Sequence, residues 1–144
     1  MVDVGAKRAT ERTATAVAVL VVSAQTETLM REHALPKGDA LVAAQIAGIL
    51  AAKRTAELIP LCHNLPLSSV DVMFSWVGPG RLEIRATAKT VAQTGVEMEA
   101  MTACSIAALT MYDMVKGVEK GVTIESLRLL EKRGGKSGTW AAPA

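Results

Sequence analysis

The stretch "SSVDVMFSWVGPGRLEIRATAK", residues 68–89, decides the fold. In its first half Val70, Val72, Phe74 and Trp76 share one face of a period-two pattern. After the "GPG" turn at 78–80, Leu82, Ile84, Ala86 and Ala88 repeat it, opposite Arg81, Glu83, Arg85 and Lys89. Two alternating runs across a Gly/Pro turn predict a β-hairpin with one buried face.

The flanking segments complete the pattern. Upstream, "TATAVAVLVV" (13–22) is short and rich in β-branched residues and reads as a strand. A short helix follows from Thr26 to about His33. Next comes "LPKGDALVAAQIAGILAAKRTAELIP" (35–60), with Asp39 as helix N-cap. In it Val42, Ile46, Ile49 and Leu50 form a helical stripe, and Pro60 ends the segment. Downstream of the hairpin, "TGVEMEAMTACSIAALTMYDMVKGVEK" (94–120) reads as a second long helix. Thr94 and Glu97 fit a capping box, and Gly117 and Gly121 mark its end. Its middle is apolar nearly all round, which implies burial on several sides. "VTIESLRLLEK" (122–132) is a last strand.

The order is β-α-β-β-α-β. It predicts an α+β fold, a ferredoxin-like sandwich of four antiparallel strands with helices packed on one face. A single domain is expected over residues 1–144, with 1–12 a mobile polar arm and 133–144 a flexible Gly-rich tail.

Bulk properties narrow the function. Half of the 144 residues are apolar but only 3% aromatic, so Val, Ala, Leu, Met and Ile must build the core. That is more apolar content than so small a domain can bury alone, which predicts a homo-oligomer. The net charge of +2 is too small to argue for nucleic acid. Phe74 and Trp76 share a face with valines, so they read as core or interface and not as a base-stacking platform. Two cysteines, Cys62 and Cys104, make neither a disulfide framework nor a CxxC pair, and a reducing cytoplasm is the simplest setting. No charge-free apolar run reaches membrane-spanning length, and the N-terminus lacks a signal-peptide plan.

Few residues are placed for chemistry. "GGKSG" (134–138) lacks the glycine, where Leu130 stands, and the following helix of a phosphate loop. Cys62 and His63 stand side by side between Pro60 and Pro66, and on an extended loop their side chains point apart. With His33 the only other histidine, no metal set can be completed, and a buried cysteine beside a hydrogen-bonded histidine is the plainer reading. Asp113 and Lys116 share a helix face. A surface ion pair is the default for such spacing, but the apolar surroundings suggest partial burial and a lysine of lowered pKa. Glu97 has work as the capping-box partner, whereas Glu99 has no structural role. Lys37, on a Pro/Gly loop before a helix N-terminus, suits an anionic ligand.

Taken together, "MVDV", "LPKGD", "IAGILAAKRTAELIPLCHNLPL", "TGVEMEAMTACSIAALTMYDMVK" and "GGKSG" resemble the MoaC family, in order from Met1 to about Trp140. The resemblance implies a ferredoxin-like subunit in a hexamer, a trimer of dimers, with active sites at subunit interfaces. It implies a phosphorus–oxygen lyase of molybdenum cofactor biosynthesis, a cyclic pyranopterin monophosphate synthase. Its substrate would be 3′,8-cyclo-7,8-dihydroguanosine 5′-triphosphate, supplied by the radical enzyme MoaA, with pyrophosphate released. By matching motif positions, Asp113, Lys116 and Lys37 correspond to catalytic residues, and Leu61, Cys62, His63, Met98 and Glu99, with Glu97 nearby, to substrate contacts. No cofactor and no protein-bound metal are implied; Mg²⁺ accompanying the triphosphate is not legible in the residues.

The chain departs from many relatives at Gly5, where serine is common, and at Asn64, where some carry proline. It also begins directly at "MVDV", where some relatives carry a short preceding segment, and this leaves open whether Asp3, Lys7 and Arg12 contribute to a phosphate site. The rival reading is a non-catalytic small-molecule-binding regulatory module on the same fold; it would not need Lys37, Asp113, Lys116 and Glu99 together.

Overall fold

A computed structural model describes residues 1–143; Ala144, the last residue of the expected tail, lies outside them. The hairpin forms as its alternation requires. Strands β2 (Leu67–Gly78) and β3 (Arg81–Ala92) run antiparallel, pairing Val72 with Ala86, Phe74 with Ile84 and Trp76 with Leu82. Gly80 closes the turn at φ +69°, and an added Cβ would stand 2.3 Å from the Val22 carbonyl oxygen. Only glycine fits there.

The first strand, β1 (Thr10–Val21), pairs with β3 on one side and β4 (Thr123–Arg133) on the other. It begins at Thr10, so the last residues of the expected arm belong to the sheet. The sheet order is β2-β3-β1-β4-β5, with five strands instead of four. The extra strand, β5 (Trp140–Ala141), pairs with Lys132 and Glu131 of β4, so part of the expected tail is tied down.

Ala14, Ala16, Ala18 and Leu20 of β1 stand beside Ala88, Ala86, Ile84 and Leu82 of β3, and all are buried. Helices α2 (Ala40–Lys53) and α4 (Glu97–Val115) cover this face. Small side chains let the two helices approach closely. Ala44, Gly48, Ala51 and Ala52 of α2 are buried, as are Ala100, Ala103, Ala107 and Ala108 of α4. A Cβ on Gly48 would lie 2.9 Å from the Ala103 carbonyl oxygen.

This packing corrects the expected α2 stripe. Val42, Ile46 and Leu50 are about half exposed, whereas Ile49 packs partly buried against the core, and the alanine and glycine face is turned inward. The three exposed residues point outward because bulky side chains would hold α2 and α4 apart. The α4 capping box also fails. The N-cap is fully buried Val96, two residues beyond Thr94, and it makes no side-chain cap bond. Asp39 does cap α2, accepting from the Val42 amide at 3.2 Å. Two short helices complete the chain, α1 (Ala24–Arg31) and α3 (Thr55–Leu58). Among the described residues no helix is long and apolar enough to cross a membrane.

Candidate active site

The loop between α1 and α2 and the C-terminal end of α4 meet at one carboxylate. Asp113 Oδ2 accepts from Lys37 Nζ at 3.0 Å, and Asp113 Oδ1 lies 2.9 Å from Lys116 Nζ. Lys116 reaches it from one helical turn along, whereas Lys37 comes from 76 positions away. Leu35, buried at 7% exposure, anchors the loop that carries Lys37.

The cluster is open to solvent, with all three side chains about half exposed. The expected partial burial and lowered lysine pKa are therefore corrected. Hydrogen bonds from Lys116 and then Lys37 hold the Asp113 carboxyl below the usual aspartate range. Asp113 in turn pushes Lys116 up. In the free protomer this leaves an ionised carboxylate between two ammonium groups, a charge pattern suited to phosphate oxygens and proton donation.

The other candidate residues gather at the opposite end of α4. Leu61, Cys62 and His63 follow α3, with the Cys62 amide donating to the Ile59 carbonyl at 3.1 Å. Pro66 steadies the loop, because its carbonyl accepts from Thr90 Oγ1 of β3 at 2.6 Å. His63 Nε2 donates to the Val2 carbonyl at 2.7 Å. A carbonyl can only accept, so Nε2 carries the hydrogen and Nδ1 is left as an acceptor in the neutral ring. This contact links the N-terminal segment to the loop across 61 positions and has no sequence signature. Both border a cavity of about 390 Å³, lined also by Asn64, Pro66 and Thr94.

Glu97, Met98 and Glu99 form the first turn of α4. Met98 is partly exposed and Leu61 largely so. Glu99 is different: only 4% exposed, and without a hydrogen bond to another side chain among the described residues. Burial pushes its carboxyl up, and the charge of Glu97 adds to this. Burial, and then the charge of Glu99, also push the Cys62 thiol up. A thiol held protonated is a poor nucleophile, so Cys62 is suited to contact and not to covalent attack.

The two groups are brought together internally but not with each other. Sixteen residues of helix separate Glu97 from Asp113, an axial distance of about 24 Å. Among the described residues no group of three His, Cys, Asp or Glu side chains is arranged to hold a metal ion.

These features define a mixed protein of helices on an antiparallel sheet, with a lysine–aspartate–lysine cluster at one end of its main helix and a buried carboxyl at the other. The profile of the MoaC family matches residues 1–135, and the chain belongs to that family. It is 55% identical over 140 residues to "cyclic pyranopterin monophosphate synthase 2" of Mycobacterium tuberculosis, covering 97% of this chain and 83% of that protein. A cyclic pyranopterin monophosphate synthase of Novosphingobium aromaticivorans is 55% identical, over 99% of this chain and 90% of the relative. One from Bordetella avium is 56% identical, over 97% and 87%.

Proposed function

We propose that this chain is a cyclic pyranopterin monophosphate synthase of molybdenum cofactor biosynthesis. It converts 3′,8-cyclo-7,8-dihydroguanosine 5′-triphosphate to cyclic pyranopterin monophosphate and pyrophosphate, as a cytoplasmic lyase fed by a radical enzyme. The observation that carries the reading is Asp113 bridging Lys37 and Lys116, held open to an anionic substrate. The names of the relatives support it.

The chemistry divides between the two ends of α4. Closing the cyclic phosphate requires a sugar hydroxyl to attack the α-phosphorus, lose its proton, and expel pyrophosphate as the phosphoanhydride P–O bond breaks. Lys37 offsets the charge that builds on the phosphate oxygens. Lys116, kept protonated by Asp113, donates and recovers protons during rearrangement of the purine-derived ring. At the other end Glu99, whose burial favours its neutral form, offers both a donor and an acceptor to the base edge. Glu97, His63 and the Leu61–Cys62 backbone complete that wall.

A distance of about 24 Å along one helix exceeds the span of a nucleotide base and its α-phosphate. The reading therefore places the lysine cluster of one protomer against the Glu99 end of another, in a hexamer built as a trimer of dimers. The outward residues Val42, Ile46 and Leu50 supply apolar surface for such contacts. The four long strands with α2 and α4 are then the ferredoxin-like unit, and β5 is an addition. No resident cofactor is assigned; any Mg²⁺ would arrive with the triphosphate.

The test is incubation of the purified protein with the cyclised GTP derivative, following pyrophosphate and the pterin. Formation of both is expected. Tight binding without product would instead support the regulatory-module reading.

A further inference from the structure

Glu119 lies just beyond α4 and plays no part in the chemistry above, yet one of its carboxylate oxygens accepts two hydrogen bonds. Its Oε1 accepts from the Ser23 amide at 2.9 Å and from Thr26 Oγ1 at 2.7 Å. Thr26 is 2% exposed, and Ser23 is the N-cap of α1, its hydroxyl accepting from the Thr26 amide at 3.2 Å. A single oxygen thus holds the first turn of α1.

The other end of α1 runs without a break into the loop that carries Lys37. The amides of Glu32, His33 and Ala34 donate to the carbonyls of Thr28, Met30 and Leu29, and the Gly38 amide donates to Leu35. Met30 and Leu35 are both buried. Hydrogen bonds thus run from the α1 N-cap through Ala34, and buried Met30 and Leu35 anchor the chain that leads on to Lys37.

The remaining side-chain anchors of α1 face a different part of the fold. Glu27 accepts from the Gly80 amide at 2.6 Å and from Arg31 at 2.8 Å, and the Arg31 guanidinium sits 4.9 Å over the Trp76 ring. Both contacts place α1 relative to the β2–β3 hairpin. Among the described residues, the side-chain hydrogen bonds joining segment 23–37 to segment 113–119 are those of Glu119 and of the Lys37–Asp113 pair itself. Asp113, Lys116 and Glu119 follow one another at three-residue intervals. The same short piece of chain thus presents the catalytic carboxylate, its lysine, and the clasp on the unit that delivers the second lysine.

We propose that Glu119 is a positioning residue, setting Lys37 in register with Asp113 and Lys116 by clasping the N-terminus of α1. The proposal rests on the reading of those three residues as the catalytic set.

Because one oxygen accepts both bonds, a glutamine oxygen can replace it, and charge is not required. The experiment compares wild type, Glu119→Ala, Glu119→Gln and Thr26→Val by amide hydrogen exchange and by steady-state turnover of the cyclised GTP derivative. In Glu119→Ala, exchange across residues 32–38 should rise at least fivefold while the middle of α4 stays protected. Its kcat should fall about tenfold with KM within twofold. Glu119→Gln should recover kcat to within threefold of wild type, and Thr26→Val, which loses one of the two bonds, should fall between. A Glu119→Ala enzyme with kcat within twofold of wild type overturns the proposal, as does a Glu119→Gln enzyme equally impaired. If wild type itself shows no turnover, the proposed function fails, and hydrogen exchange alone decides the clasp: unchanged exchange at 32–38 in Glu119→Ala overturns it.

Discussion

Lys37 Nζ reaches Asp113 Oδ2 at 3.0 Å, while the other oxygen of the same carboxylate is occupied by Lys116. One aspartate therefore holds two cations that would otherwise repel each other, at the place where the proposed function puts the triphosphate. Replacing it with asparagine keeps the shape and removes the restraint. Asp113→Asn should lower kcat about 10²–10⁴-fold, the range for loss of a positioned acid–base group. The melting temperature should barely move, because an exposed pair adds little to stability. A large loss of stability with near-normal turnover per folded molecule would assign Asp113 a structural role instead.

The direction of the Lys116 shift can be measured directly. Asp113 raises Lys116 above the ordinary lysine value, so their attraction is fully present below the unfolded lysine pKa and fades as pH rises through the raised value. For Asp113, held low, the favourable contribution is present above the unfolded aspartate pKa and is lost as pH falls through the lowered one. The pair is therefore intact across the whole neutral range. Titration of the Lys116 ammonium by NMR should give a value above that of a free lysine. Asp113→Asn should bring it down, and an unchanged titration would remove Asp113 as the cause.

Glu99 works in the opposite sense. Its folded pKa is raised by burial, so between the unfolded and the folded value the native state holds a proton that the unfolded chain has released. Stability should fall as pH climbs from the ordinary glutamate value, about 4.3, up to the raised one, and level off beyond it. Glu99→Gln should flatten that part of the melting curve and match or exceed wild-type stability at neutral pH. Substrate affinity should fall because the mixed donor–acceptor edge is altered. A Glu99→Gln protein that melts well below wild type at neutral pH would show the carboxylate to be paired and stabilising.

These contrasts follow from what the residues announce in advance. The hairpin was legible because burial of one face forces a period-two pattern, and both strands kept it. The α2 helix was legible as a helix, but its inward face was not. Hydropathy points to Val42, Ile46, Ile49 and Leu50, of which Ile49 alone packs against the core, whereas close approach to α4 selects Ala44, Gly48, Ala51 and Ala52. Thr94 and Glu97 matched a capping box by spacing alone, but the N-cap is Val96. Two-residue β5 is too short to leave a periodic signal. At the site, the pairing of Asp113 with Lys116 is local and visible, but its half exposure is a tertiary property. The reach of Lys37 to Asp113, of Val2 to His63 and of Glu119 to Ser23 is set by the fold, and nothing local marks it.

The α2–α4 contact gives a test of the fold itself. Gly48→Val would drive a branched side chain into the Ala103 carbonyl and Val72. Overpacking of this kind costs about 1–3 kcal/mol, more than the roughly 0.5 kcal/mol by which valine exceeds glycine in helix propensity. A clear fall in melting temperature is expected from calorimetry. An unchanged midpoint would mean that the two helices separate without loss and that small residues are not what sets their spacing.

The separation of the two groups along α4 leads to the sharpest prediction about assembly. If the lysine cluster of one protomer serves the Glu99 wall of another, a protomer lacking Lys116 still carries an intact wall, and one lacking Glu99 an intact lysine cluster. Lys116→Ala and Glu99→Ala proteins, each nearly inactive alone, should regain part of wild-type turnover when mixed under conditions that exchange subunits. The sites formed from one good half of each are then complete. Ile46→Glu, which puts a charge on the outward face of α2, should reduce the particle size measured by light scattering and lower turnover with it, because desolvating that charge opposes association. Failure of the mixture to regain activity, with exchange verified by a mass tag, would mean that both groups act within one protomer or that only one end of α4 is used. A monomeric wild type at micromolar concentration that still turns over substrate would lead to the same conclusion.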